Sequence, residues 1–161
     1  MPATAKGVPE GAPAVIPRLF CRDPKAEIEF CTTALGAVEV VRRPGADGKV
    51  AHGVVLISGA MIMIESEWPE VANRAPASDG SSPVVLYLYV EDVDRTAERA
   101  VAAGAKIVMP LSNQFWGDRT AWIVDPSGHV WTLATRIEET TEEERQARLA
   151  RIDAAKTSDE A

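Results

Sequence analysis

The chain has 161 residues, of which 46% are hydrophobic and 25% are charged, and its formal net charge is −7. This size and composition are typical of one soluble globular domain, and the acidic balance disfavours nucleic acid as a partner, because phosphate binding needs a concentrated basic face. We expect neither a membrane span nor a signal peptide, since no apolar run reaches the required length. Cys21 and Cys31 lack metal-type spacing, which favours a reduced, cytoplasmic protein.

The first half of the chain carries strand and helix signals in a defined order. Residues 1–14 are rich in Pro, Gly and Ala and are predicted to be a flexible leader, so the domain begins at Val15. Asp23 is a natural N-cap, Pro24 suits the first helical position, and Gly36 ends this helix. One strand is predicted before the helix and three after it, at residues 16–22, 37–42, 49–57 and 60–66. The order is therefore β-α-β-β-β.

The same order returns after a polar connector at residues 67–83. Asp92 lies 69 residues after Asp23, and Gly128 lies 69 residues after Gly59, which indicates a duplicated module. The second set of elements is predicted at residues 84–90 (strand), 93–103 (helix), 105–109, 121–124 and 129–135 (strands). We predict an α+β fold in which modules 15–66 and 84–136 form curled mixed sheets around a cup. Each module leaves an apolar sheet face uncovered, so the modules should pair, either within one chain or between chains. We also predict a homodimer.

Two features at the C-terminal end complete this interpretation. The sequence Asp125-Pro126-Ser127-Gly128 has the residue pattern of a type I turn and is predicted to join the last two strands into a hairpin. Residues 137–161 begin with a capping-box spacing at Thr141 and Glu144 and are predicted to be an acidic helical tail.

Three features carry a family resemblance: the paired modules, residues 90–105, which follow the pattern VxDxxxAxxxxxxxGA loosely, and the hairpin sequence DPSGHVW. In these features the chain resembles the vicinal oxygen chelate superfamily, which includes glyoxalase I, bleomycin-resistance proteins and ring-cleaving dioxygenases. Further phrases are similar to its PhnB-like branch: AEIEF (26–30), RPGADGKVAHG (43–53), LYVEDV (88–93) and QFWGDR (114–119). The resemblance covers about residues 15–145. It implies the fold and says less about activity, because one fold hosts many chemistries.

The resemblance also implies where a metal would be held. Metal-using members carry ligands at the start of the first strand and in the middle of the last strand of each module. Those places correspond here to Ile16, Met63, Val85 and Thr132, none of which is a strong ligand for a divalent ion. We therefore predict no metal cofactor. The alternative is a divalent metal, either at His52 and Glu65 or at a two- or three-ligand site that a register error of one or two residues would move to Glu65 and Tyr87.

Glu65 is the most unusual polar placement, since it follows Met61 and Met63 along one face of an otherwise apolar strand. It is either a site carboxylate or a solvated rim residue. Arg18 is predicted to point to the same side, where a lone arginine usually pairs with a carboxylate of the ligand or of Glu65. His52 is either a ligand or proton carrier in the cup or, more commonly for such a residue, a structural histidine. His129 more plausibly braces the hairpin.

These observations favour a protein that binds a small organic molecule in a dimer-interface cavity. The ligand-binding candidates combine aromatic or adaptable walls with a few charges: Arg18, Phe20, His52, Met63, Glu65, Tyr87, Trp116 and Trp122. No catalytic residue is assigned, and Asp118 with Arg119 is expected to fix a loop over the cavity mouth. The alternative function is a metal-dependent lyase, isomerase or dioxygenase of the glyoxalase type.

Overall fold

The computed structural model describes residues 7–71, 73–77 and 81–159. The first six residues of the predicted leader, four residues of the connector and the last two of the tail lie outside the described residues. Two four-stranded mixed sheets and three α-helices make up the fold, which confirms the predicted α+β class and the duplicated module.

The first module contains β1 (Arg18–Cys21), α1 (Pro24–Ala34), β2 (Val38–Pro44), β3 (Val50–Ile57) and β4 (Ala60–Ser66). Helix α1 begins as predicted, because Oδ1 of Asp23 accepts hydrogen bonds from the backbone N–H groups of Lys25 at 3.1 Å and Ala26 at 3.2 Å. The sheet order is β1-β4-β3-β2, in which β1 is parallel to β4 and the other pairs are antiparallel.

The second module repeats this arrangement with β5 (Val85–Tyr89), α2 (Val93–Ala102), β6 (Lys106–Asn113), β7 (Asp118–Val124) and β8 (Val130–Arg136). Its sheet order, β5-β8-β7-β6, is the first order again, with the same parallel pair at one edge. The predicted type I turn is present, because the N–H of Gly128 donates to the carbonyl of Asp125 at 3.0 Å. The duplication inferred from the 69-residue offset therefore extends to the strand pairing.

The sequence prediction was wrong about the ends of β6 and β7. It ended β6 at Met109 and began β7 at Ala121, whereas the strands continue to Asn113 and back from Asp118. The N–H of Gln114 donates to the carbonyl of Asp118 at 2.7 Å, and the N–H of Gly117 donates to the carbonyl of Gln114 at 3.0 Å. QFWGDR thus forms the tight end of a hairpin. The strand ends at residues 110–113 and 118–120 were missed because they lack the apolar runs from which strands were predicted.

The two modules pack together within one chain. A single cluster of buried hydrophobic residues contains Ile28 and Ile64 of the first module and Ile123 and Leu133 of the second. Nε of Arg99 on α2 lies 3.4 Å from the carbonyl oxygen of Ala34 at the end of α1. Pairing inside the chain resolves the alternative that the sequence left open.

A third helix, α3 (Glu142–Asp159), follows the second module. It opens with the predicted capping box, since the Thr141 N–H donates to Glu144 Oε2 at 2.8 Å and the Glu144 N–H donates to Thr141 Oγ1 at 3.2 Å. Among the described residues, no helix combines the length and the apolar character needed to cross a membrane.

Candidate functional site

Each sheet has one face against its helix and one open face, and strand alternation decides which side chains reach the open face. On β4, Ile62 and Ile64 are buried in the core, so Met61, Met63 and Glu65 lie on the opposite side, as predicted. On β3, Gly53 faces α1, because a Cβ there would lie 2.5 Å from Cδ1 of Ile28. The neighbouring His52 therefore belongs to the open face, beside Glu65.

Three polar side chains converge on the open face of the first sheet. Nδ1 of His52 lies 2.8 Å from Oε1 of Glu65, and Nη2 of Arg18 lies 3.3 Å from the same oxygen. The strand register explains the meeting, since Glu65 is opposite His52 on one side and beside Phe20, two residues from Arg18, on the other. The pairing predicted between Arg18 and Glu65 is present, and His52 joins it.

The three groups differ in how much of each is open to water. Glu65 is nearly enclosed, with 9% of its side chain exposed, whereas the Arg18 side chain is 46% exposed. The guanidinium carbon of Arg18 stands 5.4 Å from the centre of the Phe20 ring, which positions the cation by a cation–π contact. A buried anion with a half-exposed cation beside it is a polar site that a ligand in solvent can reach.

Cavities adjoin this face and the seam between the modules. One, of about 510 Å³, is lined by residues 7–14, Ile16, Met61 and Met63. Met63 is the register partner of Arg18, which places an apolar wall beside the charged cluster. A second cavity, of about 490 Å³, lies at the seam, where its walls include Pro17, Met61, Tyr87 and Trp131. Described residues of the predicted leader line both.

The open face of the second sheet carries a different polar cluster, centred on the fully buried Asp118. Its Oδ2 accepts hydrogen bonds from Tyr87 Oη at 2.7 Å, Tyr89 Oη at 2.9 Å and Trp116 Nε1 at 2.9 Å. Nε of Arg136 approaches Oδ1 at 2.8 Å as an ion pair without hydrogen-bond geometry. Partial burial and donation to Asp118 raise the pKa of Tyr87.

The structure thus divides the candidate residues between two sheets. Arg18, Phe20, His52, Met63 and Glu65 share the open face of the first sheet. On the second sheet, Tyr87 and Trp116 contact Asp118, while Trp122 lies opposite Thr132.

Sequence reasoning did not foresee that Asp118 would gather these aromatic side chains. The sequence signal that could have indicated this cluster was strand alternation, which places Tyr87 and Tyr89 on the same face of their strand.

His129 serves the contact between the modules. Its Nε2 lies 3.1 Å from the carbonyl oxygen of Phe20 in β1, so it joins the hairpin of the second module to the first. Burial lowers the pKa of His129, which favours the neutral ring. Burial also raises the pKa of both thiols, and the nearby Glu27 carboxyl adds to the effect, so Cys21 and Cys31 are poor nucleophiles.

The donor set of the first sheet does not fit a transition-metal centre. Its open face offers His52 and Glu65 as ligands, and the Arg18 cation already lies against Oε1 of Glu65, the same oxygen that contacts His52. Throughout residues 7–71, 73–77 and 81–159, no group of three or more His, Cys, Asp or Glu side chains is arranged to hold a metal ion. The places implied by the resemblance add only a thioether and a hydroxyl, from Met63 and Thr132.

The fold and these faces can be set beside known proteins. The model of the Glyoxalase/Bleomycin resistance protein/Dioxygenase superfamily matches residues 14–133. The chain belongs to this superfamily. An uncharacterized protein of Mycobacterium bovis is 38% identical to this member over 141 residues, which are 86% of this chain and 93% of the relative.

Solved structures agree with the assignment to the superfamily. TioX from Micromonospora sp. ML1 superposes with a TM-score of 0.60 and 25% identity, covering 78% of this glyoxalase-superfamily chain and all of TioX. The fosfomycin resistance protein FosX from Listeria monocytogenes superposes with a TM-score of 0.57 and 19% identity, covering 83% of this chain and 98% of FosX. At that identity the likeness to FosX concerns the fold alone.

Proposed function

We propose that the protein binds a small organic molecule on the open face of the first sheet, without a transition metal, in a cavity that a second copy of the chain helps to enclose. Glu65 carries this proposal. The residue as a whole is 7% exposed, and it lies on a strand face otherwise formed by Met61 and Met63. Burial of a carboxylate is costly and is offset here by His52 and Arg18, a pattern common at functional sites.

The surroundings suit a ligand with an apolar body and a polar end. Met61 and Met63 line a cavity of about 510 Å³, and thioether side chains adapt to ligands of different shape. The charged cluster beside Met63 would fix the orientation of the polar end, as a few convergent polar groups do in ligand pockets. The absence of a third ligand in the described part of the chain and the nearby Arg18 cation support binding without a metal.

The proposal includes a homodimer in the cytoplasm. The outer strands of both sheets, β2 and β6, leave apolar side chains in water, including Val38, Val40, Val108 and Met109. Proteins usually cover an exposed apolar edge strand, and a second copy of the chain is one way to do so. Sedimentation at micromolar concentration tests this part, and a monomer of 17.3 kDa would contradict it. The PhnB-like branch also remains a prediction.

A thermal-shift screen of small organic molecules tests ligand binding. A ligand at about 100 times its dissociation constant stabilises the folded state by about 2.7 kcal/mol, which raises the melting temperature measurably. We expect Glu65→Gln to abolish the shift while the unliganded variant stays folded. The matched control is Glu39→Gln, since Glu39 lies opposite Val55, on the helix side of the same sheet.

Elemental analysis of protein purified without a chelator tests the metal-free part. One tightly held ion per chain would contradict it and favour the metal-dependent lyase, isomerase or dioxygenase instead. The same conclusion would follow if Ni, Co or Mn alone raised the melting temperature of the wild type but not of Glu65→Gln.

A further inference from the structure

The imidazole of His52 is held in one orientation by a carboxylate that is itself fixed. Its Nδ1 lies 2.8 Å from Glu65 Oε1, and an ionised carboxylate only accepts, so Nδ1 is the donor of this contact and, in the neutral ring, the lone pair lies on Nε2. Among the described residues, Glu65 is the hydrogen-bond partner of His52, and Nε2 has none. A carboxylate behind an imidazole is the arrangement that orients a general base.

A cation stands next to this base. Nη2 of Arg18 and Nδ1 of His52 contact the same oxygen, so these nitrogens are at most 6.1 Å apart, the sum of the two distances. With 46% of its side chain exposed, Arg18 keeps donor N–H groups that face solvent. An anionic group held by Arg18 would therefore lie on the same sheet face as the His52 ring.

We propose that His52 is a general base for an organic anion held by Arg18, with Glu65 as its positioning residue. The reaction class is metal-free proton transfer at a carbon next to a carbonyl, in a small carboxylate-bearing compound such as a 2-oxo acid. This inference rests on the proposed binding function, because it places the same ligand on the same face. Met63 and the ring of Phe20 would contact the apolar part of the compound.

The proposed step needs no partner beyond the residues and the compound. The C–H bond breaks, its proton goes to Nε2 of His52, and its electron pair forms the enolate. Glu65 stabilises the imidazolium, and Arg18 offsets the negative charge on the compound. The proton on Nε2 exchanges with solvent, and transfer of the solvent-derived proton or deuteron back to the carbon regenerates the base and gives the exchanged compound.

The experiment follows deuterium incorporation at C3 of pyruvate and 2-oxobutyrate by proton NMR, with the full chain in D₂O and EDTA. We expect exchange above the buffer rate, a loss of about 10²-fold in kcat for His52→Gln and recovery when imidazole is added. Glu65→Gln should lower kcat as well as raise KM, because its carboxylate both orients His52 and pairs with Arg18, whereas Arg18→Met should raise KM with a smaller change in kcat. Glu39→Gln should match the wild type.

The outcomes separate this inference from the binding proposal. Wild-type rates equal to buffer with both compounds overturn the base assignment, and a melting-temperature shift with those compounds would then leave binding intact. Exchange that EDTA removes, or that persists in His52→Gln, also overturns it. A His52→Gln variant that loses exchange without imidazole rescue, yet melts like the wild type, contradicts the direct role of the ring.

Discussion

Each sheet holds one buried carboxylate on its open face, and the two are satisfied to different degrees. Asp118 is fully buried and is closed in by three hydrogen-bond donors, from Tyr87, Tyr89 and Trp116, and by the Arg136 cation. Glu65 meets two donors at one oxygen, and the Arg18 side chain beside it is 46% exposed. The second cluster is closed by its own side chains, whereas the first keeps polar groups that a ligand can reach.

The strand register shows how the modules diverged. Glu65 lies opposite His52 and next to Phe20, and the equivalent place in the second sheet holds Ala134, opposite Thr120 and next to Tyr89. The strand pairing is thus repeated in the second module, but the position equivalent to Glu65 carries no carboxylate. Residue choice at a few register positions therefore decides which face can bind a ligand.

The largest expected effect comes from breaking the closed cluster. Asp118→Asn removes the charge opposite Arg136 and replaces one carboxylate oxygen with an NH2 group, so we expect a loss of about 3 kcal/mol in the free energy of unfolding. Urea denaturation at neutral pH measures it. Asp94→Asn, which removes an exposed partner of Arg119, is the control and should cost much less. Equal losses would remove the distinction between the sheets.

The turn beneath this cluster should be the next most sensitive. Gly117 has a φ of +93°, and a Cβ there would press on the carbonyl oxygen of Glu138. We expect Gly117→Ala to cost about 2 kcal/mol by denaturation. Gly48→Ala isolates the conformational part, because Gly48 has a φ of +78° with no atom within 4 Å of the added Cβ, and it should cost about 1 kcal/mol. Similar costs would show that the contact with Glu138 is unimportant.

Glu27 is a further buried carboxyl, and it sharpens the comparison because, among the described residues, no cation forms a salt bridge with it. Burial, followed by the charge of Asp125, raises the pKa of Glu27 well above 4.5. Protonation is thus favoured in the folded state, so the contribution of Glu27 to stability is fully present below pH 4.5 and is lost as the pH rises through the folded pKa.

We expect Glu27→Gln to be more stable than the wild type as the pH rises. The gap should widen by about 1.4 kcal/mol per pH unit until the folded pKa of Glu27 is passed. Unfolding measured at several pH values checks this, with Glu29→Gln on the exposed side of the same helix as control. A gap that stays constant with pH would mean that Glu27 is ionised in the fold.

The smallest expected effect on stability is that of Glu65→Gln. The glutamine carbonyl still accepts from Nδ1–H of His52, and Arg18 turns to water, so we expect a loss of about 1 kcal/mol or less. Differential scanning calorimetry compares it with Asp118→Asn. A loss as large as that of Asp118→Asn would indicate that Glu65 is a structural residue like Asp118.

Much of the fold was predictable because its signals are local. Asp23 and Asp92 cap the two helices, Gly128 closes the type I turn, and the 69-residue offset repeats the module. Strand alternation also placed Met61, Met63 and Glu65 on one face. The hairpin at residues 114–118 was missed because backbone hydrogen bonds, rather than apolar spacing, define it.

The sequence by itself determined the elements, their duplication and the face on which each candidate residue lies, because capping, turn chemistry and the period of two act over a few residues. Only the tertiary structure decided that His52, 13 positions before Glu65, would contact it, and that Tyr87, 31 positions before Asp118, would donate a hydrogen bond to it. Those contacts depend on strand order and register, which long-range packing fixes. Local sequence patterns, which span only a few residues, therefore do not predict these contacts.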